Sequence, residues 1–215
     1  MSERGKLVTL GVIGAVLAIV VAVVLVSRGG DEGGGDSSTP VVKDDQLTKP
    51  EPGSVVAEGE TASVKMKTSE GEFTIALDTT NWPVTANSFA YLTEEGFYDG
   101  LGFHRIVTDF VIQGGDPTGS GAGGPGYSVV ETPPKSTTYP VGTVAMAKTG
   151  AEAPGTSGSQ FYVVTGTSSP FDPVYAIVGK VSEGMDVVQK IGALGDPAGT
   201  PTKQVVIEEA TLEKG

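Results

Sequence analysis

The sequence predicts a mainly β domain, an antiparallel barrel or sandwich, preceded by an N-terminal apolar span and a linker. Short segments of alternating hydrophobicity recur from residue 62 to the C-terminus, and loops rich in glycine and proline separate them. The 32 glycines indicate a loop-rich fold, a flexible linker, or both. Only two segments of the domain have the signals of a helix.

The N-terminal span, residues 7–26, is apolar throughout and carries no charge. A helix of this length extends roughly 30 Å, the hydrocarbon thickness of a bilayer. Arg4 and Lys6 precede the span and acidic residues follow it, so the positive-inside bias places residues 1–6 in the cytoplasm. We predict a single-pass signal anchor in the cell membrane with the rest of the chain on the extracytoplasmic side. The alternative is a cleaved signal and a secreted protein.

The predicted linker covers residues 27–60. It contains eight acidic residues, three basic ones, repeated glycines and no aromatic residue. Such a composition buries too little apolar surface to offset the entropy lost on ordering. We expect a disordered acidic Gly/Ser/Pro spacer that holds the domain away from the bilayer.

The folded domain is predicted to comprise residues 61–215. Its first two strands alternate regularly and flank the turn Ser69-Glu70-Gly71. The predicted strands are Ala62–Thr68, Glu72–Leu77, Phe110–Gln113, Thr143–Ala147, Gln160–Thr165, Tyr175–Val181 and Gln204–Thr211.

Two helices are expected. The first begins at Pro83 and stops at Gly96, because proline fits a first turn and glycine ends a helix. Its buried residues are predicted to be Ala86, Phe89, Ala90 and Leu92. The second helix is predicted across Met185–Ile191.

The composition excludes several kinds of chemistry. There is no cysteine and only one histidine, His104, so disulfides, thiolate nucleophiles and multi-histidine metal sites are impossible. A net charge of −12 argues against binding to nucleic-acid phosphates. We expect no metal, no cofactor and no nucleic-acid partner.

One glycine-rich stretch, residues 119–124, formally matches G-x-G-x-x-G. A dinucleotide site needs a helix to start there, whereas this stretch continues into Pro125 and Gly126. We therefore interpret it as a mobile, close-packed loop.

The most specific motif is FHRIVTDFVIQGGD, residues 103–116. It resembles the signature of the cyclophilin family of peptidyl-prolyl isomerases. Further similar motifs follow in order at residues 144–147, 158–161, 178–181 and 184–185, so the resemblance covers about residues 62 to 212. It implies an eight-stranded antiparallel cyclophilin-like barrel capped by two helices, and a membrane-anchored, bacterial-like form when the apolar span is included.

The resemblance also implies an activity and a site. The implied activity is rotation of X-Pro bonds in unfolded or newly exported chains, with Arg105, the only arginine of the domain, stabilising the twisted amide. Phe110 and Gln113 complete the implied catalytic set. The implied substrate-binding residues are Val111, Ala147, Lys148, Gln160, Tyr162, Phe171 and Tyr175. The implied apolar seat for the proline ring is formed by residues of both sets: Phe110, Val111, Tyr162 and Phe171.

Other residues are assigned structural roles. Phe161 is expected in the core, and His104 is expected to make structural hydrogen bonds, because isomerisation needs no proton transfer. Pro170 stands where many cyclophilins carry a tryptophan, so cyclosporin binding is doubtful. Two other readings stay open: a proline-peptide-binding module or holdase with little turnover, and a structural domain with a degenerate site.

Overall fold

A computed structural model describes residues 47–167 and 171–215 of the chain. The predicted residues 1–6, the span 7–26 and the first part of the linker lie outside this range. None of the helices in the described part is long and apolar enough to cross a membrane. The elements, in chain order, are β1 (Ala62–Thr68), β2 (Gly71–Leu77), α1 (Pro83–Glu94), β3 (Arg105–Val107), β4 (Val111–Gly114), β5 (Val129–Val130), β6 (Thr143–Met146), β7 (Thr156–Ser157), β8 (Phe161–Val164), β9 (Ile177–Glu183), α2 (Met185–Gly192) and β10 (Ile207–Lys214).

Eight strands form one sheet in the order β10-β1-β2-β9-β6-β8-β4-β3, and every neighbouring pair is antiparallel. The two edges, β3 and β10, approach each other through the segments that precede them: the Phe103 amide donates to the Val205 carbonyl at 3.0 Å. The bridge between Gly102 and Val206 and the hydrogen bond from the Gly100 amide to the Ile207 carbonyl, at 2.8 Å, also join them. The eight antiparallel strands and two helices are as predicted, but within the described residues the sheet is a curled half-barrel rather than a closed barrel.

The main core lies inside the curl and beneath the helices. Helix α1 packs against β9 and β10, and α2 packs against β2, β3 and β4. The predicted stripe of α1, Ala86, Phe89, Ala90 and Leu92, is fully buried. Phe161 is also fully buried, and its ring meets those of Phe89 at 5.4 Å and Tyr98 at 5.5 Å. The predicted core role of Phe161 is confirmed.

Residues 47–56 pack on the domain, although the sequence placed them in the linker. The side-chain oxygen of Asn87 on α1 accepts the amides of Val55 and Val56 at 2.9 and 3.1 Å. Val56 is 1 % exposed and belongs to the main core. The Leu47 amide donates to the Pro125 carbonyl at 3.1 Å. Residues 47–56 are therefore held on the domain, and the buried Asn87 supplies hydrogen bonds that this irregular segment cannot make for itself.

The short strands are the elements that the sequence did not predict. β3, β5 and β7 contain two or three residues each, too few for a period of two to be visible. β10 begins at Ile207 rather than at Gln204.

Candidate active site

A row of side chains crosses four strands on one face of the sheet. Arg105 of β3 lies opposite Gln113 of β4, Gln113 lies opposite Tyr162 of β8, and Tyr162 lies opposite Ala145 of β6. Residues paired directly across antiparallel strands point to the same face. The next residues along β3, β4 and β8, namely Ile106, Ile112 and Val163, are fully buried in the main core. The row therefore faces outward, away from the core.

A second apolar cluster, separate from the main core, covers the same outer face. Its buried members are Val111, Tyr139, Ala145, Tyr162 and Val164, and its half-buried members are Phe110, Ala147, Phe171, Tyr175 and Ile177. We call these ten residues the outer cluster. Because half of them are partly open to solvent, the outer cluster offers an apolar surface to a ligand.

Phe171 joins the aromatic rings of the outer cluster. Its ring stacks on Phe110 with centroids 4.9 Å apart and on Tyr162 with centroids 5.3 Å apart. The interplanar angles are 15° and 7°. Tyr175 meets Tyr162 edge-on at 5.5 Å. The structure thus brings together the four side chains of the predicted proline seat, since Val111 belongs to the same cluster.

Arg105 is half-buried at the edge of this surface. Its stem runs beside Gly199, whose backbone carbonyl accepts the Ile106 amide at 3.0 Å. None of the ion pairs among residues 47–167 and 171–215 includes Arg105. Burial lowers the pKa of the Arg105 guanidinium from its ordinary value, and the nearby Tyr175 opposes that shift. Because the ordinary pKa of a guanidinium is very high, Arg105 stays charged and keeps donors to offer a ligand.

Gln113 is fixed by a hydrogen-bonded relay. Its side-chain amide donates to the side-chain oxygen of Gln160 at 3.1 Å, and Gln160 donates to the Gly123 carbonyl at 2.9 Å. The relay joins β4 to the glycine-rich loop that contains residues 119–124. No helix begins at the end of this loop, as predicted from Pro125 and Gly126 in the sequence.

Asp116 organises the same loop from within. Its buried carboxylate accepts the amides of Thr118, at 2.7 Å, and Gly121. Burial raises the pKa of Asp116, but the hydrogen bonds from Thr118, Gly123 and Gly121 outweigh it, so the pKa lies below its ordinary value. A Cβ on Gly123 would meet an Asp116 carboxylate oxygen at 2.1 Å, so only glycine fits there. Close packing is found at Gly123 alone among these glycines, because a Cβ at Gly119, Gly121 or Gly124 would meet nothing within 4 Å.

Two predicted substrate-binding residues, Ala147 and Lys148, donate hydrogen bonds to backbone carbonyls of the protein itself. The ammonium of Lys148 donates to the carbonyls of Thr149 at 2.8 Å and Glu152 at 3.0 Å, so it is turned toward its own loop. The amide of Ala147 donates to the Gln160 carbonyl at 2.8 Å. Pro170, on which the expectation of weak cyclosporin binding rests, lies outside the described residues.

His104 differs from its predicted role. Both ring nitrogens are buried and have no hydrogen-bond partner among the described residues. Burial lowers the pKa of His104, Asp116 opposes that shift, and Arg105 adds to it. The ring therefore packs as a neutral group beside Arg105 instead of making the structural hydrogen bonds that were expected.

Two residues of this region were not singled out from the sequence. Tyr139 lies in a loop between two prolines and has no periodic pattern around it, yet its ring contacts Phe171 at 5.4 Å and Tyr175 at 6.2 Å. Gly199 lies in a further Gly/Pro loop beside Arg105. Both come close to the site only through tertiary folding.

Comparisons with known proteins agree on one family. The family model described as "Cyclophilin type peptidyl-prolyl cis-trans isomerase/CLD" matches residues 63–212. Peptidyl-prolyl cis-trans isomerase-like 1 of Neurospora crassa is 37% identical over 156 residues, which cover 69% of this chain and 93% of that protein. Probable peptidyl-prolyl cis-trans isomerase B of Mycobacterium leprae is 35% identical over 184 residues, covering 76% of this chain and 61% of that protein.

The similar solved structures belong to the same family. The crystal structure of a Cryptosporidium parvum cyclophilin type peptidyl-prolyl cis-trans isomerase matches with a TM-score of 0.64 and 30% identity, covering 72% of this chain and 99% of that one. A second crystal structure of that protein was obtained in the presence of the dipeptide Ala-Pro, and it matches with a TM-score of 0.64 and 28% identity over 71% of this chain and 99% of that one.

Proposed function

The chain belongs to the cyclophilin-type peptidyl-prolyl cis-trans isomerase family, and from this premise we propose that it rotates X-Pro bonds in unfolded or newly exported chains with Arg105 at the centre of its site. The observation that carries the proposal is the register of strands β3, β4 and β8. It places Arg105 and Gln113 on one face with Tyr162, beside a half-buried aromatic surface.

The reaction requires no covalent chemistry. Rotation of an X-Pro bond is opposed by a barrier of about 18–20 kcal/mol, because the amide nitrogen shares its lone pair with the carbonyl. No bond breaks, so neither a nucleophile nor a metal is required. A site that binds the twisted amide better than either planar isomer lowers the barrier.

Arg105 provides the polar part of that preference. A twisted amide has a localised lone pair on the proline nitrogen, and this nitrogen becomes a hydrogen-bond acceptor. The planar guanidinium can donate to that nitrogen and to a neighbouring carbonyl without losing its charge. Donors that are already in place where charge develops are worth about 3–4 kcal/mol each in other enzymes. Packing of the Arg105 stem against Gly199 supports such pre-organisation.

The outer cluster provides the apolar part. The methylene groups of a proline ring are apolar, so burying them against Phe110 and Tyr162 is favourable, and packing on the aromatic rings fixes the orientation of the proline. Holding the ring still while the preceding residue turns is what rotation of the bond requires. Gln113 and Gln160, fixed by the relay to Gly123, present polar groups that hold the substrate backbone beside this ring.

A direct test compares catalysis with binding in the purified full chain in detergent. The cis–trans exchange of a short peptide such as Ala-Ala-Pro-Phe is measured by NMR, together with its affinity. We expect exchange far faster than the uncatalysed tens to hundreds of seconds. Saturable binding with no acceleration would contradict the proposed role of Arg105 and would favour the holdase reading instead.

Residues 7–26 are the basis of a proposed location. Their apolar length and the preceding Arg4 and Lys6 support a retained signal anchor, with residues 1–6 cytoplasmic and the domain extracytoplasmic. Alkaline carbonate extraction of membranes tests this proposal: the full-length chain is expected in the membrane pellet. Release of a chain that lacks residues 1–26 would instead show a cleaved signal and a secreted enzyme.

A further inference from the structure

Residues 171–175 form one wall of the outer cluster without belonging to a helix or a strand. Phe171 at one end stacks on Phe110 and Tyr162, and Tyr175 at the other end meets Tyr162 edge-on. We call residues 171–175 the wall segment. Because a sheet ladder does not hold this backbone, its position depends on individual hydrogen bonds.

The hydroxyl of Tyr139 makes two of those bonds with a single residue. It donates to the Tyr175 carbonyl at 2.7 Å and accepts the Tyr175 amide at 3.1 Å. A phenolic oxygen has one proton and lone pairs to accept with, so both of its capacities are used. Tyr139 is 9% exposed and lies 36 residues earlier in the chain. Its ring also touches Phe171 at 5.4 Å, so one side chain contacts both ends of the wall segment.

The position of the wall segment decides how much of the proline seat is open. The Phe171 ring is nearly parallel to Phe110 and to Tyr162 at stacking distance from each. A substrate proline can reach these two aromatic faces only where Phe171 leaves them uncovered. A shift of the wall segment moves the Phe171 ring relative to these two faces and thereby changes that opening.

We infer that Tyr139 is a positioning residue for substrate binding: its hydroxyl fixes the backbone at Tyr175 and thereby sets the place of Phe171 in the proline seat. The inference rests on the proposed function of the outer cluster. We expect the main effect on binding, because the Tyr139 ring contacts Phe171 in the proline seat, whereas the stem of Arg105 on β3 lies beside Gly199. Tyr175 also lies near Arg105, so the exchange rate of bound peptide is measured together with the affinity.

The variant Tyr139→Phe removes the hydroxyl and keeps the ring. In the full chain, NMR exchange with the peptide Ala-Ala-Pro-Phe gives the Kd and the exchange rate of bound peptide separately. We expect the Kd to rise by about three- to tenfold while the bound exchange rate changes by less than about twofold. Hydrogen exchange of the Tyr175 amide should quicken, because that amide loses its acceptor.

Tyr127→Phe is the matched control. It also removes one phenolic hydroxyl, which lies 3.1 Å from the Ser88 hydroxyl on α1 and outside the outer cluster, so its Kd should equal that of the wild type. If Tyr139→Phe does not fold, Val174→Gly serves as a second variant, because it loosens the wall segment without changing Tyr139. We expect the same rise in Kd and the same nearly unchanged exchange rate of bound peptide. An unchanged Kd with an active wild type overturns the inference alone, whereas a wild type without catalysis overturns the proposed function.

Discussion

Gly199 lets the stem of Arg105 pack closely against the backbone because Gly199 has no side chain. A Cβ at Gly199 would lie 3.2 Å from Cγ and 3.3 Å from Nε of Arg105, closer than ordinary van der Waals contact. Gly199 also has a φ of +91°, a conformation that residues with a side chain rarely adopt. The loop after α2 thus supports the side chain on which the proposed chemistry depends.

Gly199→Ala is therefore expected to damage both stability and catalysis. The left-handed conformation costs about 1–2 kcal/mol for a residue with a Cβ, and the new methyl group displaces the Arg105 stem. We expect X-Pro exchange of bound peptide to slow by about tenfold, since about 1.4 kcal/mol of lost transition-state stabilisation has that effect.

Gly100→Ala separates these two effects. Gly100 has a φ of +82°, but a Cβ there would meet nothing within 4 Å. The two variants should lose similar stability by urea denaturation, and only Gly199→Ala should lose activity. Equal activity in both would show that Gly199 does not position Arg105.

Tyr162→Phe is expected to stabilise the domain. The Tyr162 hydroxyl is buried and has no hydrogen-bond partner among the described residues. An unpaired buried hydroxyl costs about 1–3 kcal/mol, so removing it should raise the free energy of unfolding by about 1 kcal/mol. Urea denaturation measures the change.

Tyr139→Phe is the control for that stability change, because the Tyr139 hydroxyl makes two hydrogen bonds. It should lower the free energy of unfolding by about 1 kcal/mol. A loss of stability in Tyr162→Phe as large as in Tyr139→Phe would mean that the Tyr162 hydroxyl has a partner after all.

His104 should make the free energy of unfolding depend on pH in a window that begins at about pH 6.5 and extends below it. Burial, the largest cause, lowers the pKa of His104 in the folded state below the ordinary value of 6.5. Below about pH 6.5 the unfolded chain therefore binds the proton more readily than the folded chain. The free energy of unfolding should fall as the pH falls through this window, by at most about 1.4 kcal/mol per pH unit.

His104→Gln removes this titration, because His104 is the only histidine of the chain. Urea midpoints at pH 7, 6 and 5 should fall more steeply for the wild type than for the variant. The shifted carboxylates, among them Asp116, Glu70 and Glu72, have pKa values lowered below 3.8 or 4.5 and so titrate outside the window. Parallel slopes for wild type and variant would contradict the account of His104.

The sequence was sufficient for the strands with a clear alternation and for the motif around Arg105. β1, from Ala62 to Thr68, has the predicted bounds, and both helices begin where Pro83 and Met185 predict. β3 was missed because three residues show no period, although this strand is the one that carries Arg105.

The sequence identifies several residues of the site, but it does not predict which loop residues pack against them. Phe110, Gln113 and Tyr162 come from a recognisable motif pattern, whereas Tyr139 and Gly199 lie in loops and approach the site from elsewhere in the chain. Residues 47–56, predicted as linker, pack on the domain instead, and Asn87 on α1 makes hydrogen bonds with Glu51, Val55 and Val56. Composition alone carries no information about such a distant partner.

The central claim, that the Arg105 guanidinium stabilises the twisted amide, is tested most directly by Arg105→Lys. Lysine keeps the charge but lacks the planar fork of donors, so the account predicts that bound-peptide exchange slows by about 10²–10³-fold while the Kd for the proline peptide changes little. A lysine variant that exchanges the bound peptide as fast as the wild type would contradict the claim, because the fork would then contribute nothing beyond its charge.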